Sequence, residues 1–236
     1  MTLPFFYIET YDASPKTIML DEDTSRHVVS VLRMKEGEKI NLTDGKGSLI
    51  TTEITDAHKK HCEVSVLSSV INHPPAKHIS IAISLLKNTN RFEWFLEKAT
   101  EIGINEIIPL ICERTEKQKF RYDRMKGICI SAMLQSQQTW LPVLQEPVQF
   151  AKMPIDKYAD SQKLIAHCDE GNKQTINDLH IGKFAHWQIC IGPEGDFTKE
   201  EISFALQNNF IPVALGETRL RTETAGVVAA TLIKLA

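Results

Sequence analysis

The sequence predicts an α/β fold preceded by a small β-rich domain. Three observations carry this. Up to about residue 70 the apolar residues are rich in β-branched types and partly alternate with polar ones. Residues 71–76, Ile-Asn-His-Pro-Pro-Ala, form an extended linker whose Pro-Pro pair removes two backbone donors. Beyond it, short apolar runs alternate with amphipathic segments, the pattern of a parallel sheet with crossover helices. The expected domains are 1–72 and 73–236.

The elements follow in order. The runs FFYIE, KINLTDGKGSLITTEI and CEVSVLSSV are expected strands, with a hairpin turn at Asp44-Gly45. Residues 24–34 predict a helix capped by Thr24 or Ser25, with His27, Val28, Val31 and Leu32 on one face. Six or so short strands with one helix describe a small barrel. In the second domain, residues 78–86 read as a strand buried on both faces. Residues 90–102 are a helix with Phe92, Phe95, Leu96, Ala99 and Ile102 in one stripe. A strand at 106–112 and a helix at 121–138 follow, the helix ending before Pro142. Strands are expected at 163–167, 187–191 and 212–215. The helix at 198–207 opens with the capping box Thr198-x-x-Glu201. A closing helix at 222–235 turns Ala225, Val228, Ala229, Leu232 and Ile233 inward.

Composition narrows the function classes. No apolar run approaches a membrane span, and the N-terminus lacks the basic start and apolar core of a signal peptide. The five cysteines are scattered without a C-x-x-C, and four have apolar neighbours, which fits free thiols in the cytoplasm. His58, His61 and Cys62 come nearest to a metal set, but their stretch is polar and turn-like, so no metal is expected. The net charge of −3 weighs slightly against a nucleic-acid partner. Locally, however, residues 113–126 hold six basic residues against three acidic ones, which by itself reads as a solvated face of mixed charge.

Chemistry concentrates in the last quarter. Ile191-Gly-Pro-Glu-Gly195 follows a strand. Pro193 stiffens the turn, and Gly192 and Gly195 permit positive φ and close approach of a ligand. It is neither a Walker loop nor a dinucleotide fingerprint. A second loop, from Leu215-Gly216 through Thr222 and Glu223, leads into the closing helix, with Thr222 as its expected N-cap. Arg219 and Arg221 stand just before that helix N-terminus, where a cation is unfavourable, so they are candidates for holding a phosphate or carboxylate. Two such loops within about 35 residues point to one composite pocket.

This pair of loops, IGPEG and LG-x-x-x-LRTETA, resembles the SPOUT class of RNA methyltransferases. Within it the chain is similar to the RsmE family, which methylates N3 of a uridine in small-subunit ribosomal RNA. The resemblance spans nearly the whole chain: Phe5-Phe6 and the segment from His27 to Leu32-Arg33, Lys87, residues 97–103, Ile108-Pro109, Glu113-Arg114, and Gln135-Ser136 with Pro142. It departs from the family pattern at Asp196, where a glycine is usual. It departs again at Leu134 and Gln138, where Glu and Arg are usual, and at Pro4, where an arginine is frequent.

The resemblance implies a PUA-like β-barrel followed by a trefoil-knotted, mainly parallel SPOUT domain working as a homodimer. Knots are nearly absent from proteins, so no pattern argument would predict one. It implies S-adenosylmethionine as cofactor, with Gly192 and Gly195 passing close to it and backbone groups of Leu215, Gly216 and Leu220 bonding its adenine edge. Leu164 and Ile191 would supply apolar walls, with Glu194 and Thr222 completing the set. Loss of the uracil N3 proton leaves charge on O2 and O4, which an arginine would stabilise. Arg221 is the first candidate and Arg219 the second. Glu223, Glu194 or a water is the base. Lys87, Arg114, Arg26 and Arg33 are candidate RNA contacts. The competing readings are a methyltransferase of a ribose 2′-oxygen, a non-catalytic RNA-binding protein of this fold, and an unrelated anion-binding α/β enzyme.

Overall fold

The computed structural model describes residues 3–12, 16–116, 118–155, 157, 160–176, 179 and 184–236. They pack into two units, Met1–Pro74 with Met133–Leu141, and Pro75–Ala132 with Pro142–Ala236.

The first unit is built on strands β1 (Phe5–Tyr7), β2 (Thr17–Met19), β3 (Lys39–Thr43), β4 (Ser48–Asp56) and β5 (Glu63–Ile71), hydrogen-bonded in the order β1-β3-β4-β5-β2. The β1–β3 pair is parallel and the others are antiparallel. The expected barrel is thus a curled mixed sheet, a half-barrel of five strands. Register shifts at Thr51/Thr52 and Ile54/Asp56 lie in its longest pairing, where bulges increase strand twist. Phe6, Val28, Ile40, Leu42, Ile50, Ile54 and Val64 form its core. The hairpin turn is tied by Asp44, whose carboxylate accepts from the Lys46 N–H at 2.9 Å and the Ser48 hydroxyl at 3.1 Å.

The helix of this unit differs from expectation. α1 spans Glu22–Arg26 and continues as a π-helical turn over His27–Val31. Its cap is Asp21, which accepts from the Thr24 N–H at 2.8 Å. Ser25 is buried instead, donating to the Leu20 carbonyl and accepting from the Cys62 N–H at 2.9 Å. A serine with two internal partners is not free to cap. The segment Met133–Leu141 packs in this unit, where the Thr139 carbonyl accepts from the Gly47 N–H at 2.9 Å.

The second unit holds β6 (His78–Ser84), β7 (Glu106–Ile111), β8 (Val143–Leu144), β9 (Val148–Gln149), β10 (Ser161–Ala166), β11 (Gln174–Thr175), β12 (His186–Ile191) and β13 (Ile211–Ala214). The order is β11-β13-β10-β12-β6-β7-β8, with β9 also on β7, and every pairing is parallel. Isoleucines at 79, 81, 83, 107 and 189 are fully buried, each worth about 2 kcal/mol of apolar transfer. The helices are α2 (Thr89–Ile102), α3 (Tyr122–Gln135), α4 (Lys199–Gln207) and α5 (Thr222–Leu235). α2 buries Phe92, Phe95, Leu96 and Ala99 as predicted and stops at left-handed Gly103, while Ile102 stays half-buried. The Thr198–Glu201 capping box opens α4.

After β13 the chain returns to lay α5 against α2, β6 and β12. The buried face of α5 is Gly226, Ala229, Ala230 and Ile233, with Ala225, Val228 and Leu232 only half-buried. The predicted stripe is therefore rotated by one position. Gly226 sets it, because a Cβ there would stand 2.6 Å from the Phe95 ring and 2.9 Å from Ile83. Among the described residues no helix is long and apolar enough to cross a membrane.

Candidate functional site

Because β13, β10 and β12 lie side by side and parallel, the loops that follow them leave the same carboxyl edge, where open α/β sheets bind ligands. There they enclose a cavity of about 680 Å³, ample for a nucleotide-sized molecule. Ala166 to Cys168 and Lys173 line it after β10, Ile191 to Glu194 and Asp196 after β12, and Val213 to Arg221 after β13, with Thr222 and Ala225 of α5. Of the residues expected at a site, Ile191, Gly192, Glu194, Leu215, Gly216, Arg219, Leu220, Arg221 and Thr222 come together here.

The glycines of the first loop serve space rather than left-handed backbone. Neither Gly192 nor Gly195 has positive φ. A Cβ at Gly192 would press within 3.0 Å of Phe197, a buried ring. The left-handed position is Asp196, at φ 63°, a conformation that aspartate tolerates better than most residues. Its own N–H donates to the Pro193 carbonyl at 2.9 Å. Its carboxylate accepts from the Phe197 N–H at 2.8 Å and, across to the loop after β10, from the Cys168 N–H at 2.6 Å. Asp196 thus ties two walls of the cavity together.

In the second loop Gly216 sits at φ 150°, and no atom lies within 4 Å of where its Cβ would be. Its Cα faces open space, a cradle that a side chain would begin to fill. Arg221, not Thr222, is the N-cap of α5, and its side chain makes no capping hydrogen bond. Thr222 is the first helical residue and is buried. Arg219 and Arg221 are exposed, and among the described residues neither has an ion-pair partner. Two guanidinium groups without an ion-pair partner among the described residues therefore line one cavity.

The other expected site residues lie elsewhere. Leu164 is fully buried within β10, paired with Ile189 and Ile211 and set back from the cavity. Gly195 packs against Arg114, whose guanidinium donates to the Gly195 carbonyl at 2.6 Å. Lys87 pairs with Glu116 at 2.7 Å, and that hydrogen bond raises its pKa. The Lys87 N–H donates to Glu194 Oε1 at 3.2 Å. Glu223 is buried off the cavity lining, with one oxygen 3.6 Å from Arg91 Nε and the other without a hydrogen-bond partner among the described residues. In the first unit Arg26 pairs with Glu22 at 3.0 Å, and Arg33 holds φ 58°.

His167, Cys168, Lys173 and Asp196 line the cavity without having been singled out as site residues. The loop after β10 carries no motif. Its one signal was topological: a strand parallel to β12 must deliver its next loop to the same edge. Burial lowers the pKa of His167, Lys173 lowers it further, and Asp196 and Asp169 act against both. Among the described residues no group of three His, Cys, Asp or Glu side chains is placed to hold a metal ion.

With the site in view, known proteins bear on it. A family model described as RNA methyltransferase domain matches residues 73–234, and one described as RNA methyltransferase PUA domain matches residues 20–67. The ribosomal RNA small subunit methyltransferase E of Buchnera aphidicola subsp. Acyrthosiphon pisum is 28% identical over 98% of this chain and 93% of its own length. The crystal structure of a probable rRNA-methyltransferase from Porphyromonas gingivalis is 38% identical, superposes with a TM-score of 0.89, and covers 98% of this chain and 97% of its own. Ribosomal RNA small subunit methyltransferase E from Neisseria gonorrhoeae, bound to S-adenosyl methionine, is 28% identical with a TM-score of 0.89, over 99% of this chain and 97% of its own.

Proposed function

The chain belongs to the RsmE family of RNA methyltransferases, and from that premise we propose that it methylates N3 of a uridine in small-subunit ribosomal RNA, using S-adenosylmethionine held in the carboxyl-edge cavity. One observation carries the reading: Arg219 and Arg221, without ion-pair partners among the described residues, line the same cavity as the two glycine loops. An enzyme that moves a methyl group onto a deprotonated base needs a ligand cradle and a cation for the developing oxyanion within one enclosure.

The residues fit the cofactor. The cavity volume suits it, Gly216 leaves backbone open to a ligand, and Ile191, Leu215 and Leu220 give apolar surface. When bound, S-adenosylmethionine supplies an electrophilic methyl group on a sulfonium. This chain's own part is positioning and charge. Backbone groups of Leu215, Gly216 and Leu220 orient the adenine edge. Gly192, held against Phe197, keeps the loop after β12 tight. Arg221 stabilises the negative charge that spreads to the uracil oxygens, with Arg219 beside it. Among the candidate bases Glu194 lines the cavity, so Glu194 or a water that it orders takes the N3 proton. Glu223, buried off the lining against Arg91, positions the first turn of α5.

The N-terminal unit is read as the module that selects the RNA. The half-buried stripe of α5, with Val228, Leu232 and an exposed Leu235, supports a homodimer closed through that helix. The test is methylation of small ribosomal subunits followed by nucleoside analysis. Arg221→Ala is expected to lose roughly a hundred- to a thousandfold in turnover, with S-adenosylmethionine binding by calorimetry nearly unchanged. Full activity in that variant rejects the role of Arg221, and a 2′-O-methyl product rejects N3.

A further inference from the structure

A second hollow lies in the same unit, outside the cavity described above. It measures about 370 Å³ and is lined by Thr89, Asn90, Glu93, Lys119, Arg121, Arg124 and the buried Met125. It is formed by the first turn of α2, which follows β6, and by the residues that lead from β7 into α3. β6 pairs in parallel with β12, and β7 pairs in parallel with β6. The second hollow therefore opens on the same carboxyl edge of the sheet as the first.

Its charge is unbalanced. Three cations meet one carboxylate, and Glu93 is already engaged by Arg124, at 2.6 Å to Nε and 2.9 Å to Nη2. Lys119 and Arg121 have no ion-pair partner among the described residues. Holding like charges together costs energy unless an anion joins them. The arrangement is also fixed in place. Phe120, between the two free cations, packs edge-on to Phe92 of α2 at 6.1 Å and to Tyr122 at 6.4 Å. Asn88 caps α2 by accepting from the Asn90 N–H at 3.0 Å, so a helix N-terminus borders the hollow.

By contrast, the two cations of this unit that sequence reasoning put on RNA are occupied within the fold: Lys87 by Glu116, Arg114 by the Gly195 carbonyl. We propose that the hollow formed by Lys119, Arg121 and Arg124 is a phosphodiester site, which holds the RNA backbone next to the nucleotide whose base enters the first cavity. This rests on the methyltransferase reading above. In it, Arg124 stays fixed to Glu93 as the rigid wall, and Lys119 and Arg121 close on the phosphate oxygens.

The experiment is a salt titration of binding to a short fluorescein-labelled, uridine-containing RNA, followed by anisotropy, for the wild type and for Lys119→Gln/Arg121→Gln. Arg124 is left intact, because it joins α3 to α2. The expected result is an affinity at low salt weakened roughly tenfold or more, and a slope of log affinity on log salt less steep by about 1 to 1.5. S-adenosylmethionine binding by calorimetry should be unchanged. Unchanged RNA affinity and slope, with cofactor binding intact, overturn the site. Wild type that binds RNA but not the cofactor, with the variant effect present, keeps the phosphodiester site and rejects the methyltransferase assignment of the first cavity. Wild type that binds no RNA, yet binds pyrophosphate in a manner lost in the variant, replaces the RNA source with a free phosphate and overturns the proposal as stated.

Discussion

Asp196 combines an unfavourable backbone with a favourable side chain. Its φ of 63° costs a residue with a Cβ, and its carboxylate repays this by fixing the Cys168 and Phe197 N–H groups. Two substitutions separate these effects. Asp196→Ala keeps the strain and loses the tie, so it is expected to cost about 2 to 3 kcal/mol of stability. Asp196→Gly loses the tie but relieves the strain, and is expected to be less damaging by about 1 kcal/mol. Both should weaken S-adenosylmethionine binding several-fold, because the loop after β10 is released. Denaturant titration and calorimetry read the two quantities, and equal stability in the two variants would contradict this account. The departure from the family glycine at 196 was plain in the sequence. Its consequence was not, since the Cys168 N–H that it meets lies 28 residues away in the chain.

Elements were legible where local chemistry decides them. Thr198 and Glu201 spell out the start of α4, and the stripe from Phe92 to Ala99 spells out α2. The two-residue strands β8, β9 and β11 have no period to detect, and they exist because a neighbouring strand offers them hydrogen bonds. An apolar count misplaces the face of α5 because it gives glycine no weight, whereas packing against α2 turns on it. Gly226→Ala adds helix propensity but drives a methyl group into Phe95 and Ile83, both fully buried. Overpacking wins, and a loss of about 1 to 3 kcal/mol is expected in urea denaturation. A stabilised variant would show that α5 shifts on α2 at no cost.

At the scale of the whole molecule, two half-buried histidines contribute to the response to acid. His78 is held below the usual imidazole range by burial, then by His186 and Lys157, with Glu106 acting against them. His167 is held below it by burial and Lys173. A depressed pKa means that the fold prefers the neutral ring, so the unfolded chain takes up protons first. The stabilisation is complete above the unfolded value near pH 6.5 and is lost as pH falls below it. The melting temperature is expected to drop between about pH 7 and pH 5, and less so in His78→Asn. A flat profile would rule out this contribution. The buried thiols of Cys112 and Cys129 do not titrate in that window: burial pushes Cys112 up to about 12 and Cys129 to about 11.

The order of the sheet also bears on how the chain is made. β6 lies between β7 and β12, and His78 pairs with His186. During synthesis β6 and β7 emerge together and can pair early. The other edge of β6 then stays open until β12, which begins at His186, about 75 residues beyond the end of β7 at Ile111, has been added. Long-range parallel pairing is slow to form and leaves an apolar strand edge exposed while it waits. A member of an RNA methyltransferase family thus completes its own central sheet late in its synthesis, which makes the interval between β7 and β12 the stage at which a chaperone has most to protect.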